Sequence, residues 1–488
     1  MNDQLPFRLS VLAALRLIWG FWYLPLLDLP QHAAQIATAQ DLLRGISPWH
    51  ELVRLNFFSP YWLGYLPALV LSFLMPVALA IKCVMTLGFL GYVHFGTRAL
   101  VHFRAAPYLR WVLIPSWFGF AWQYGFFTFM AATALVLALL PLIDRYAATP
   151  NVKDGRQLAL GLPLLYAAHG LAFYFTILLT ALFGLFYHYR DIKRLMQAAL
   201  APLAGVLLPA LHTIMLLILD PQPDADDITF NFSGRFERMM KTMTGAGQEP
   251  LAFLGVLIAL LLPLLGHRNR DHRAAAVPFI AVMLTWFAVP SGFASVGFVY
   301  HRFSTFILPF AALLISPAPE RKRSQIARAA LMALVWAHLA IQAQRYWEFQ
   351  AEMADFKQAM APVPSGQRIL NLIDGQFTLS EWGGYRLEQI PAWYQAERQG
   401  WVDCNFAVYR PMMVRFSGQL PADQLWKMND DYRKFDWQTL DAGLYDYFVI
   451  MHASPLPADL FASAPCGVDV ISQAGWWSVI KPRRCTAP

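Results

Sequence analysis

Apolar residues run along this chain in long blocks separated by short polar stretches. The blocks cover roughly 9–27, 59–98, 111–143, 157–188, 198–219, 251–266, 274–289, 303–316 and 326–342. A helix needs about 20 apolar residues to cross a bilayer, at about 1.5 Å of rise per residue. The longer blocks therefore predict membrane hairpins. The 111–143 block turns near Trp122-Gln123-Tyr124-Gly125, and the 157–188 block turns at His169-Gly170. The 59–98 block is too short for three crossings. It predicts a short helix at 59–75 that enters and returns, then one crossing at 77–98. The first block runs into Asp28-Leu29-Pro30 rather than a small-residue cleavage site, which predicts a retained signal anchor.

After residue 345 the pattern changes. Residues 348–360 have a helical period, whereas 367–373, 447–451 and 476–480 read as strands. The chain thus divides into a membrane domain, 1–344, with an outer first loop at 28–58, and a small α/β domain, 345–488.

Composition agrees. Of 488 residues, 57% are hydrophobic and 14% charged, against about 25% charged in an ordinary soluble domain. Disordered and cytosolic-enzyme classes are excluded. The net charge is +7, but residues 345–488 hold 13 basic and 16 acidic residues, so the basic excess lies in the membrane part. The basic residues do not interleave with exposed aromatics, and no nucleic-acid partner is expected.

Charge also orients the chain. Five short loops carry three cations each: Arg98/Arg104/Arg110, Arg145/Lys153/Arg156, Arg190/Lys193/Arg194, Arg268/Arg270/Arg273 and Arg321/Lys322/Arg323. The positive-inside rule assigns all five to the cytoplasm and gives about eleven crossings in total. The hairpin tips, the 28–58 loop, the 220–250 loop and the C-terminal domain then face outward. In a bacterial cell this is a multi-pass inner-membrane protein with a periplasmic tail. Cys466 and Cys485 flank a hairpin in that oxidising compartment and are expected to pair.

Polar groups at membrane depth are costly and point to function. Asp28 follows the first membrane block, Pro30 suits a first helical turn, and Asp28 and His32 lie four apart on one face of the helix start. Residues 33–43 read as an amphipathic helix lying on the outer surface. A carboxylate at such a boundary suits a general base, with His32 to orient it. The alternative is that Asp28 only caps the helix and His32 is a surface residue.

Outward cations are few: Arg44, Arg54, Arg235, Arg238, Lys241 and Arg302. Arg302, in Tyr300-His301-Arg302-Phe303, sits where an apolar helix re-enters the membrane and fits a phosphate. Lys82 is a second phosphate candidate. His169, Gln123, Tyr124 and His301 share the outer face and form the substrate-binding candidates. Each has a bland alternative in snorkelling or helix-end packing. The acidic run 220–227 leaves a divalent metal open, although a solvated loop explains it better.

A first membrane helix, an outer loop opening on Asp28-Leu29-Pro30-Gln31-His32, many further spans and an outer α/β tail together resemble the GT-C-fold glycosyltransferases. These include the protein O-mannosyltransferase-like and aminoarabinose-transferase-like enzymes. The resemblance implies a sugar donor carried on a polyprenyl phosphate, Asp28 as base on an acceptor hydroxyl, and cations on the lipid phosphate. Many members carry an Asp-Glu pair where this chain has Asp28-Leu29. The acceptor, the sugar and any metal stay unnamed. A transporter or flippase would show paired half-helices and charges deep in the bundle, and an assembly protein would show outer polar residues that do not converge.

Overall fold

A computed structural model describes residues 3–219, 228–247, 249–293, 296–317, 322–374, 388–418, 432–435, 437, 444–452, 455–457 and 459–483. The acidic run 220–227, Arg321 and Cys485 lie outside the described residues. The chain forms two compact units. One contains Met1–Gly20, Phe58–Leu66 and Lys82–Ala343; the other contains Phe21–Phe57, Pro67–Ile81 and Gln344–Pro488. Nine strands occur among the described residues: β1 Val53–Leu55, β2 Gly266–Arg268, β3 Ile315–Pro317, β4 Arg368–Ile373, β5 Trp401–Val402, β6 Val414–Phe416, β7 Tyr447–Met451, β8 Val468–Ala474 and β9 Trp477–Pro482.

The first unit is helical. Among the described residues five helices are long and apolar enough to cross a membrane: Val77–His102, Phe127–Ala148, Gly170–His188, Ile192–Leu216 and Lys322–Met360. Shorter apolar helices accompany them, including Trp62–Ser72 and Glu249–Leu265. The 59–98 block is split by Pro76 into helices of 11 and 26 residues. The shorter rises only about 16 Å, half a bilayer core.

Hydrogen bonds gather the basic loops at one end of this unit. His188 Nε2 meets the carbonyl of Ala147 at 2.7 Å. Asn269 donates to the carbonyls of Phe103 and Leu313, at 2.7 and 2.9 Å. β2 pairs antiparallel with β3. The hairpin tips meet elsewhere: His169 stacks on Tyr61, with centroids 4.7 Å apart, and packs edge-on to Phe129 at 5.2 Å.

The second unit joins the first loop to the tail. β5, β4 and β7 run parallel; β9 is antiparallel to β7, and β8 to β9, giving the order β5-β4-β7-β9-β8. β7 is central and buried at all five positions, as an apolar strand covered on both faces should be. The three tail strands expected from the sequence are β4, β7 and β9. The expected helix at 348–360 is instead the end of the 39-residue helix Lys322–Met360.

A second sheet has one strand from each end of the chain, β1 from the loop and β6 from the tail, paired with Val53 opposite Phe416. This corrects the surface-helix expectation for residues 33–43. The helix Leu29–Arg44 is buried continuously from Leu29 to Gln40. The residues that look like its wet face are hydrogen-bonded to the tail. Gln31 Nε2 donates to Gln389 Oε1 and to the carbonyl of Cys404, at 2.6 and 3.0 Å, while Gln31 Oε1 accepts from the amide of Phe406 at 3.1 Å. Gln35 Oε1 accepts from the amide of Val414 at 2.8 Å, and Gln395 donates to Thr38 Oγ1 at 2.9 Å. Glutamine in a helical period signals solvent only when no buried partner takes its amide.

Candidate functional site

Asp28 stands at the N-cap position of Leu29–Arg44, with Pro30 in the first turn. Its side chain makes no hydrogen bond to the first-turn amides, and its backbone is already near-helical, with φ −84° and ψ −8°. A capping residue has extended backbone and an accepting side chain. Capping therefore does not account for this carboxylate. Its carbonyl accepts from the amide of His32 at 3.1 Å. His32 is buried and edge-on to Phe406 at 5.6 Å, so it is not a surface residue.

Burial first, then the charges of Asp28 and Glu388, push the Tyr409 hydroxyl well above its ordinary range. Asp28, Glu388 and Tyr409 thus share one neighbourhood in the loop–tail unit. The sequence offers no signal for Glu388, which lies 360 residues from Asp28.

The helical unit holds the cations. Arg302 is half-buried, with its guanidinium carbon 3.5 Å from the centroid of Phe126 and its Nη2 donating to the carbonyl of Gly297 at 3.2 Å. Its charge also acts on Tyr61, which stacks on His169. The preceding turn is unusual. Phe298 has φ +55°, a left-handed conformation that costs an L residue about 1–2 kcal/mol. That conformation goes with a close contact between Phe298 and Tyr124, at 4.6 Å; Tyr124 in turn stacks on Phe120 at 4.3 Å.

His301 stacks on Tyr300 and Phe120, at 3.9 and 5.3 Å. Burial, followed by the charges of Arg238, Arg235 and Arg302, lowers its pKa to about 3. His301 is therefore a neutral imidazole among three guanidiniums. Its Nδ1 is buried without a hydrogen-bond partner among the described residues. Arg235 is buried over the ring of Tyr300 at 4.3 Å. It donates to the carbonyls of Asn231 and Trp286 at 2.8 and 2.6 Å, and its Nη2 has no partner among the described residues. Arg238 donates to the Tyr300 hydroxyl at 3.1 Å. Carbonyls, a phenol and aromatic faces orient these two arginines, while the Glu237 carboxylate, paired with Lys241 at 2.6 Å, also feels the charge of Arg238.

The structure thus brings His301, Arg302 and Tyr124 into one aromatic–arginine cluster and connects His169 to it through Tyr61. Gln123 donates to the carbonyl of Phe118 at 3.3 Å, and its buried Oε1 has no partner among the described residues. His169 caps the helix that follows it, with Nδ1 accepting from the amide of Leu171 at 3.2 Å. Lys82 is buried near the start of Val77–His102, so it is not a snorkelling side chain. Asp28 and His32 belong to the loop–tail unit, and the other six candidates to the helical unit. Arg235 and Arg238 carry more of the cluster than the sequence suggests. Their signal is position: they open the helix Arg235–Thr242 in an outer loop that the charge rule expects to be poor in cations. Cys466 is disulfide-bonded, and Cys83 and Cys404 are not.

No family model matches the chain, and no curated protein matches it. Among solved structures the fold is similar to that of the mycobacterial arabinofuranosyltransferase AftD, determined by single-particle cryo-EM. The TM-score is 0.50 at 13% identity, over 99% of this chain and 40% of AftD, so the chain spans less than half the length of that enzyme. At this identity the likeness bears on fold alone.

Proposed function

We propose that this protein is a membrane glycosyltransferase that moves a sugar from a polyprenyl-phosphate-type lipid donor to an acceptor hydroxyl on the outer face. Arg302, with Arg235 and Arg238, binds the donor phosphate, and Lys82 is a further cation for it. Asp28 removes the acceptor proton, with His32 one turn along the same helix and Glu388 and Tyr409 in its neighbourhood. His169, Gln123, Tyr124 and His301 contact the sugar or the lipid head. The new bond forms between the acceptor oxygen and the anomeric carbon. The bond from that carbon to the phosphate oxygen breaks, and the phosphate leaves on the lipid with its electron pair. Arginines stabilise the charge on that leaving group. The reading places the loop–tail unit on the outer side of the inner membrane.

The observation that carries the reading is the arginine cluster: the charges of Arg235, Arg238 and Arg302 act on one buried histidine, and Arg235 and Arg238 donate to carbonyls and a phenol. Such a site calls for an anion, and between apolar helices the fitting anion is a lipid phosphate. Native mass spectrometry of the full chain in detergent tests this with a polyprenyl monophosphate against the uncharged polyprenol of equal length. The phosphate is expected to remain bound and the alcohol to dissociate. Equal retention of both, or of neither, overturns the assignment.

A further inference from the structure

A second polar cluster in the helical unit plays no part in this chemistry. His102 ends the helix Val77–His102, Asp144 lies near the end of Phe127–Ala148, and His272 precedes the helix Ala276–Ala288. The two imidazoles present the same atom, Nε2, to the same carboxylate oxygen, Asp144 Oδ2, at 2.7 and 3.1 Å. The other oxygen, Oδ1, accepts from the Tyr187 hydroxyl at 2.8 Å. Potential ligand atoms of the three residues lie within 4.8 Å of one another. On the helix Phe127–Ala148, Asp144 is 17 residues beyond Phe127, roughly 25 Å along the axis, and Phe127 adjoins the ring that Arg302 covers. The cluster is therefore a separate site, at the end of the unit where the basic loops collect.

We propose that His102, Asp144 and His272 form a divalent transition-metal site of the zinc class. Two imidazole nitrogens and one carboxylate, with a fourth position left for water, is a ligand set suited to zinc. The Tyr187 hydroxyl holds the ligating carboxylate from behind, as outer partners do in metal sites. Asp144 is buried, whereas the imidazoles are about one-fifth exposed, which gives an ion a way in from the adjoining aqueous phase. Nearby carboxylates are engaged elsewhere: Asp271 accepts from Ser316 Oγ at 3.2 Å and Asp154 pairs with Arg145 at 3.6 Å. Bound metal would tie together the ends of three elements distant in sequence. A metal-free network, in which both imidazoles donate Nε2–H to Asp144, is the opposing account.

The test uses the purified full chain in detergent, stripped with chelator and dialysed against Zn(II), with metal counted by inductively coupled plasma mass spectrometry. About one zinc per chain is expected. His102→Ala and His272→Ala should each reduce this at least about tenfold, since removing one of three ligands leaves too few. Co(II) in place of zinc should give a visible ligand-field absorption that both variants lack. His272 lies outside the long helices, so His272→Ala decides the matter should His102→Ala fail to fold. A wild-type chain that binds no stoichiometric zinc, or a folded His272→Ala chain that keeps it, overturns the proposal.

Discussion

The helical unit and the loop–tail unit are held together in different ways. Successive helices pack in the first, and its aromatic–arginine cluster draws on Phe120–Phe126, Arg235–Arg238 and Phe298–Arg302, loops at neighbouring hairpin ends. The second joins segments more than 300 residues apart through buried glutamine amides and one short strand pair. The difference teaches where each function can reside. A cation cluster needs only that hairpin tips converge, which the positive-inside pattern already dictates. Asp28, in contrast, has its electrostatic neighbours, Glu388 and Tyr409, in the tail. The pairing of β1 with β6 also requires the first loop and the tail to lie on one side of any membrane.

The comparison breaks most severely in the helical unit. Arg238→Ala combined with Arg302→Ala is expected to weaken polyprenyl-phosphate binding by more than about 100-fold, because each charge-assisted hydrogen bond contributes about 1.5–3 kcal/mol. Titration by native mass spectrometry measures it. Unchanged affinity would mean that the cluster is only packing.

In the loop–tail unit a single amide should matter almost as much. Gln31→Ala leaves the amide of Phe406 and the carbonyl of Cys404 buried without these partners, at a cost of about 1–3 kcal/mol. A calorimetric transition shifted down by several degrees, with polyprenyl-phosphate binding retained, would show that the two units fail separately.

A third contrast is a pH slope. His301 has a folded pKa lowered to about 3, whereas the unfolded side chain titrates at about 6.5. Between those values the unfolded chain binds the extra proton, so stability is full above about pH 6.5 and falls as the pH drops toward 3. His301→Asn should flatten the melting temperature against pH over that window. An unchanged slope would assign the pH dependence to other groups.

Much of the helical unit was legible. The breaks at His169-Gly170 and Trp122–Gly125 follow from a hydrophobic block too long for one span, and β4, β7 and β9 follow from strand periodicity. The loop–tail contacts were not legible. A helix rich in Gln, Thr and Ala reads as exposed, and nothing local in Gln31 names Gln389 as its partner. Glu388 and the His102–Asp144–His272 cluster escaped for the same reason: each is assembled by tertiary contact between residues whose neighbours in sequence look ordinary. Arg302 draws notice in the sequence because it stands at an expected outer turn where cations are few.

Asp28 offers the most direct test of the mechanism. Membranes containing the full chain are incubated with a panel of polyprenyl-phosphate-linked sugars, and release of polyprenyl phosphate is followed by mass spectrometry. The wild-type chain should consume one of these donors, and Asp28→Asn should slow that consumption by about 100-fold or more, the contribution expected of a general base. An Asp28→Asn chain that inserts normally and releases polyprenyl phosphate at the wild-type rate would contradict the mechanism.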